Sequence, residues 1–564
     1  MYLPVSRAEA HTLGWDQFDI ILVSGDSYID SPFIGVALLG KILVAAGFRV
    51  GIIPQPDMNS SDDITRLGEP RLFWGVTAGS VDSMVANYTA LKKKRQQDDY
   101  TPGGANTRRP DRACIAYTNL IRRHFKPTVP IVLGGIEASL RRVAHYDFWD
   151  NRIRRSVLVD AKADYLLYGM AERSIVELAC ALRDRQPVSA LRGLCFLSRE
   201  MPVDALEIPD YETVAADADA FTAMFHMFYA NNDPLTAKPL AQKHGDRYLI
   251  QQPPAHYLSE AELDAIYTLP FERELHPAHR PQGTVRALDT IRFSVATHQG
   301  CYGECNFCAI AVHQGRTVRS RSAQSIESEV QAFTRHPKFR GIVSDVGGPT
   351  ANMYGYECKK KLRHGSCQHR RCLVPQRCEQ LPVEHQSQRK LLERLRKIPG
   401  VKKIFVASGI RHDLILEDKQ HGLAYLETLV EHHVSGQMKI APEHTEPKIL
   451  ELMGKPAAGN HLEKFCELFA SLNRKHQKQQ FLTYYFIAAH PGCDERAMEK
   501  LQNYASRVLH IQPEQVQIFT PTPSTYSSLM YYTGKNPFTG EKLFSEKNMA
   551  GKERQKMRLQ KKSR

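Results

Sequence analysis

Three of the chain's 12 cysteines, Cys301, Cys305 and Cys308, fall within eight positions of the stretch THQGCYGECNFCAI. Thiolates so spaced can hold an iron–sulfur cluster, and a four-iron cluster normally takes four cysteine ligands. Three thiolates leave one iron open to a substrate or cofactor, whereas a closed cluster only passes electrons. Gly303 lets the backbone wrap closely around such a group. A structural zinc site and plain buried thiols are the alternatives, but zinc wants four ligands, usually in paired short spacings. A second group, Cys358, Cys367, Cys372 and Cys378, stands in CKKKLRHGSCQHRRCLVPQRC, four thiols within 21 residues with His364 and His369 nearby. It has donors enough for zinc or for an auxiliary iron–sulfur site, and both readings stay open. Cys114, Cys180, Cys195, Cys466 and Cys493 are scattered and read as buried thiols.

These residues need a scaffold. Over residues 19–184 strand-like runs (DIILVSG, RLFWGVTA, PIVLGGIEAS, YLLYGMAE) alternate with helix-like ones, which implies a doubly wound α/β domain with a parallel sheet covered on both faces. The polar, Pro/Gly-rich run Gln96 to Arg112 interrupts it and reads as an irregular, mobile excursion. Alternation restarts near residue 286 with DTIRFSVAT, GIVSDVGG, KKIFVASG, GQMKIAPE, QFLTYYFIAAH and QVQIFTPTP as strands, separated by helical runs such as Ser325 to His336. Six strands suit a partial (β/α)6, TIM-like barrel, whose reactive groups gather where strands end. Cys301 lies just past the first. The expected organisation is a doubly wound domain over 1–195, a connecting segment over 196–285, the partial barrel over 286–535 with a cysteine-rich insertion at 356–380, and a basic tail over 536–564.

A chain of 564 residues is too long for one core, and 42% hydrophobic with 24% charged residues is a globular composition. The start lacks a secretory pattern, and the longest apolar helical candidate, Phe33 to Gly47, is broken by Lys41 and shorter than the ~20 residues of a bilayer span. A cytoplasmic protein with no membrane partner is expected, and that reducing compartment favours thiols and metal over disulfides. Net charge +14 admits RNA as a partner, against solvated loops and a frayed basic terminus as the plainer explanation. Arg141, Arg142, His145 and Tyr146, with Arg152, Arg154 and Arg155, could grip a phosphate or line a domain interface. Two competing functions follow from the residues: an RNA-binding or RNA-modifying factor, and a metal-stabilised scaffold without catalysis.

The CxxxCxFC pattern ending on Phe307 and Cys308 resembles the signature of the radical SAM superfamily. The strings SGDSYIDSPFIG, GGIEASLRRVAHYDFWDNRIRRSVL, CNFCAIAVHQGRTVRSRS, DVGGPTANMYG and IAPEHTEPKIL together resemble its YgiQ family, over nearly the whole chain. The resemblance implies a 4Fe–4S cluster on Cys301, Cys305 and Cys308, whose open iron binds S-adenosylmethionine and whose reduced form splits it to a 5′-deoxyadenosyl radical. It also implies a reductant such as flavodoxin or ferredoxin. Gly347, Gly348, Pro349 and Thr350 resemble the GGE-type motif that receives the methionine ammonium, with proline in place of its acidic residue. Ser408, Gly409, Ile410 and Arg411 would meet carboxylate or ribose, Glu443 the ribose hydroxyls, with Lys439 and His444 beside it, and Phe307 the adenine. FIAAHPGCD resembles the adenine-contact segment, with Ala488 and Ala489 where glycine is common. His313, Gln314 and Arg316 would line the pocket. The first domain is similar to cobalamin-binding ones, but the loop Gly25 to Gly35 has no histidine to ligate cobalt, so a vestigial or substrate-binding domain is expected in preference. The substrate is not implied.

Overall fold

The structure is a computed structural model that describes residues 1–457 and 459–560. The chain divides into two compact units, residues 1–258 with 265–292, and residues 259–264 with 293–564.

Nine strands form the first unit's sheet: β1 (Ile20–Ser24), β2 (Val50–Pro54), β3 (Phe73–Thr77), β4 (Ile131–Gly134), β5 (Tyr165–Leu167), β6 (Leu194–Ser198), β7 (Leu206–Ile208), β8 (Leu240–His244) and β9 (Arg247–Gln251). Their order is β2-β1-β3-β4-β5-β6-β9-β8-β7. The half from β2 to β5 is parallel, and β1 is buried at every position because helices cover both faces. The strand order reverses between β1 and β3, the usual binding crevice of such sheets.

The segment expected to connect the two domains builds the rest of this sheet. β6 pairs antiparallel with β5, β9 with β6, and β8 with β9. The Gln96 to Arg112 excursion is anchored in part, for Asp98, Thr101, Asn106 and Arg109 are buried while residues between them are exposed. Several guanidinium groups of the arginine-rich block are paired inside this unit, while Arg152 stays largely exposed. Arg141 pairs with Asp82, Arg154 with Asp150 and Asp160, and Arg155 with Asp160. Arg142, fully buried, donates to Gln251, Asn232 and the Ser139 carbonyl and lies over the rings of Tyr168 and Phe228.

In the second unit six parallel strands follow one another in chain order: β10 (Ser294–Ala296), β11 (Asp345–Gly347), β12 (Lys403–Ile404), β13 (Gln437–Glu443), β14 (Phe481–Ala488) and β15 (Val516–Ile518). β10 pairs with β11, β13 with β14 and β14 with β15. β11 and its lead-in Ile342–Val343 meet β12 through the Ile342↔Lys403 register and a Val346 N–H to Phe405 carbonyl bond of 2.9 Å. A parallel bridge between Ile410 and Ile440 carries β12 on to β13. Among the described residues β15 does not pair with β10, so the barrel is partial. Its crossover helices bury one face each; Ala323–Thr334 turns in Ile326, Val330 and Phe333 and is capped by the Ser322 hydroxyl. The basic terminus is not frayed over the described residues: Met549–Gln560 is a helix burying Gly551, Lys552, Gln555 and Leu559.

No helix is long and apolar enough to cross a membrane among the described residues.

Candidate functional site

The loop bearing Cys301, Cys305 and Cys308 leaves the end of β10 on a fixed base. Thr297 donates its N–H to the Gly347 carbonyl at 2.7 Å, and His298–Gln299 pairs antiparallel with Arg319–Ser320. Gly300 turns the chain with φ +78°, where a Cβ would lie 2.2 Å from the Thr317 carbonyl oxygen, so only glycine fits. Gln314 accepts from Gly300 N–H at 3.3 Å, and Arg316 lies 3.9 Å from Glu304, so both brace the loop from beneath. Asn306 locks its far side, donating its amide to the Leu452 carbonyl and its backbone N–H to Met453.

All twelve cysteines are free thiols. Gly303 N–H points at Cys301 Sγ from 3.3 Å, and Thr350 Oγ1 lies 3.4 Å from the same sulfur. Arg411 Nη1 stands 4.0 Å from Cys305 Sγ. Burial pushes the Cys308 thiol up to about 12, with the neighbouring Cys305 adding to it. Backbone N–H and guanidinium donors thus face two of the three sulfurs. Among the described residues no three His, Cys, Asp or Glu side chains converge tightly enough to hold a single metal ion. Three cysteines on one loop are one short of the four ligands a structural zinc takes, whereas a four-iron cluster held by three thiolates keeps one iron open.

Successive strand ends bring the other expected residues to the loop. Past β11, Gly348 runs against the His298 ring and Gly347 against Ser408. Pro349 and Thr350 follow, half-buried. Past β12, the Ser408 hydroxyl donates to Asp345. Arg411 is buried and forks onto Asp413. Burial opposes the charge on both, but the pair prevails, holding Asp413 well below the usual carboxylate range and Arg411 above its ordinary value. Past β13, Glu443 has φ +68° and is buried, 3.8 Å from Lys455 Nζ. Burial raises its carboxyl against the pull of Lys455 and Arg411. Past β14, Ala489 is again left-handed (φ +59°), and His490 lies edge-on to Phe307 with ring centroids 6.4 Å apart. A cavity of about 210 Å³ opens beside these ends, lined by Arg411, Asp413, His444 and Lys455.

Lys439 does not join this group; it is exposed along β13. His444 lines the cavity and has its Nε2 3.6 Å from Cys493 Sγ.

Three residues that hold the site were not singled out from sequence. Asp345 accepts the N–H groups of Ala407 and Ser408, tying β11 to the end of β12. Asn352, fully buried, accepts from Arg411 N–H and donates to its carbonyl. Asp413 fixes the Arg411 fork. The usable signal was polarity inside an apolar run, as with Asp345 in GIVSDVGG.

Comparison with known proteins agrees with this geometry. The family described as Radical SAM N-terminal matches residues 2–294, and a domain of unknown function, DUF3362, matches residues 514–562. A UPF0313 protein of Fusobacterium nucleatum is 57% identical over 98% of both chains, and one of Thermotoga neapolitana 48% identical over 99% of this chain and 98% of its own. Among solved structures, the radical S-adenosylmethionine methyltransferase TsrM of Kitasatospora setae, with cobalamin and a 4Fe–4S cluster bound, has a TM-score of 0.50 at 13% identity, covering 91% of this chain and 77% of its own. The cobalamin-dependent S-adenosylmethionine radical enzyme OxsB has a TM-score of 0.51 at 12% identity, over 93% of this chain and 57% of its own. At such identity these two show the fold alone. On the family match and the full-length relatives, the chain belongs to the radical SAM enzymes, in the UPF0313 family also called YgiQ, a membership that implies a 4Fe–4S cluster, S-adenosylmethionine and an electron donor.

Proposed function

We propose that Cys301, Cys305 and Cys308 are the three cluster thiolates of this enzyme and that the strand ends around them seat S-adenosylmethionine. One observation carries this: three free thiols on the loop after β10 are ringed by Gly347 and Gly348, Ser408, Arg411 and Glu443 from the next three strand ends. When bound, the cluster and S-adenosylmethionine supply reductive cleavage of a sulfonium to a 5′-deoxyadenosyl radical. The chain's own residues bind, orient and exclude water. Gly303 N–H and Arg411 stabilise negative charge on sulfur. The backbone past β11, at Gly347 to Pro349, offers carbonyl acceptors to an ammonium. Arg411 offers a second fork edge to a carboxylate. Glu443, with one ion pair at 3.8 Å among the described residues, has acceptor capacity left for ribose hydroxyls. Phe307 offers a ring face to adenine.

Cobalamin is left out of this reading because the crevice between β1 and β3 is filled by the protein itself. The Arg109 guanidinium lies there fully buried, 2.9 Å from Asp26 and 3.0 Å from Asp98, and donates to the Ala78 carbonyl. Asp26 also takes the Ser80 N–H and hydroxyl at 2.6 and 2.7 Å. The loops after β1 and β3 touch: a Cβ on Gly25 would lie 2.2 Å from Ala78 oxygen. A corrin tail would have to displace a buried ion network. RNA is left out as well: the net charge of +14 is the only feature that prompts it, and a diffuse excess of that kind names no partner.

The test is anaerobic reconstitution with iron and sulfide, reduction, and chromatography for 5′-deoxyadenosine. The expected result is product without added cobalamin, abolished in C301A, C305A and C308A. An intact cluster that yields no deoxyadenosine would overturn the reading.

A further inference from the structure

The cysteine-rich insertion presents a second thiol set that the reading above does not use. Its four cysteines are separated by eight, four and five residues, yet Cys358, Cys367, Cys372 and Cys378 all line one cavity of about 330 Å³. The frame around it is built without them. Cys358 stands at the N-terminus of the helix Lys359–His364, and its N–H donates to the Tyr302 hydroxyl at 2.9 Å. Lys361, buried, donates to Glu304 at 3.2 Å and to the Arg316 carbonyl at 2.7 Å. Arg371 donates to the Glu304 carbonyl and to Asn306 Oδ1, and lies over the Tyr526 and Phe538 rings. Cys378 N–H donates to the Cys372 carbonyl at 2.7 Å, which curls the last two cysteines round the same space.

A thiol buried merely as a small apolar group packs against its neighbours and leaves no void, because protein interiors are dense. Cys358 and Cys372 pack on one side into an apolar cluster with Tyr302 and Leu373, and Cys378 lies against it, yet all four cysteines also border one open space. Basic groups face it too: Lys360, Lys361, Arg370 and Arg371 line the cavity. Four cations at this lining would offset the negative charge that four sulfur ligands bring. A lone zinc needs its four ligands converging to about 2.3 Å from one point, and no such convergence exists among the described residues. Four cysteines lining one cavity supply the ligand count of a four-iron core.

We infer that Cys358, Cys367, Cys372 and Cys378 ligate a second iron–sulfur cluster, of the four-iron type, held in the insertion's own cavity. With all four irons thiolate-bound it has no open coordination site, so it stores or passes electrons and binds no substrate.

Metal and sulfide analysis of the full chain after anaerobic reconstitution tests this. Two four-iron clusters give about eight irons and eight sulfides per chain, and the C301A/C305A/C308A variant keeps about four of each, with a 4Fe–4S Mössbauer signature. C367A/C378A, at half-buried positions, loses the same share while the first cluster remains, and circular dichroism checks its fold. An iron-free triple variant, about four irons in the wild type that all depend on Cys301, Cys305 and Cys308, or one zinc per chain in the second site would each overturn it. The outcomes separate the two readings: iron lost entirely with the first three cysteines refutes this cluster alone, whereas four irons indifferent to those three refute the proposed radical site and leave this one standing.

Discussion

At the scale of single residues, the site depends on groups that act on other groups. Arg411 is the clearest case. Its side chain is buried against Asp413, its backbone is held at both ends by Asn352, and one nitrogen is left for the sulfur of Cys305. A buried pair of this kind gives little net stability, but removing one partner strands the other charge, at a cost of about 3–5 kcal/mol. R411A and D413A are each expected to lower the thermal midpoint sharply, and R411M/D413L to recover most of the loss, as read in a double-mutant cycle by denaturant unfolding of the cluster-free chain. Additive losses would show that the two side chains are not coupled. The thiol loop itself was legible in sequence because its chemistry is local, three cysteines and two glycines in ten residues. Asp345, Asn352 and Asp413 were not, because a carboxylate that caps a neighbouring strand end is defined only when the strands pair. The pairing within the arginine block was legible only in part: Asp150 and Asp160, which hold Arg154, stand within six residues of it, but Asp82, which holds Arg141, is 59 positions away.

At the scale of elements, periodicity read well wherever a strand or helix buries one side or both. Six barrel strands and the helix His461–Lys475 stand where the apolar pattern put them, while DTIRFSVAT is strand only at Ser294–Ala296, its start being the short helix Ala287–Ile291. The far half of the first sheet was missed because β7 has only three residues and β8 mixes Gln242 and Lys243 among its apolar positions, so neither alternates long enough to register. The C-terminal helix was missed for the opposite reason. Its sequence is mostly polar, and two of the four residues it buries are Lys552 and Gln555: Gln555 accepts the N–H of left-handed Ala489 at 2.9 Å and donates to the Cys493 carbonyl at 3.2 Å. That amide replaces the hydrogen bonds lost where β14 ends. Gln555→Ala leaves two buried backbone groups unmet, at about 1–3 kcal/mol each. The expected outcome is a lower thermal midpoint together with weaker S-adenosylmethionine binding by equilibrium dialysis, because the FIAAH strand end loosens. A variant that loses stability but binds S-adenosylmethionine as before would separate this helix from the site.

At the scale of the whole molecule, the buried histidines set how the fold responds to acid. Burial drives His145, His244 and His279 in the first unit down to about 4, each also repelled by nearby cations or histidine. In the second unit burial does the same to His298, His412, His433 and His490, and takes His444 to about 3. An unfolded histidine takes up its proton near pH 6.5, but these stay neutral in the native state until pH approaches 4. The unfolded chain therefore binds more protons across that interval, and stability that is complete above pH 6.5 falls as pH drops through the window, by about 1.4 kcal/mol per pH unit for each such group. With five of these histidines in one unit and three in the other, the transition of the barrel unit is expected to move down in temperature more steeply between pH 7 and 5 than that of the doubly wound unit. Calorimetry at a series of pH values measures this directly. His433→Leu provides the control: that ring is fully buried and its one hydrogen bond among the described residues is to the Ile404 carbonyl, 2.9 Å from its Nδ1, so the substitution should shallow the barrel unit's pH slope by one group's share while lowering its midpoint at pH 7. Equal slopes for the two units, or a slope that His433→Leu leaves untouched, would show that acid sensitivity lies elsewhere.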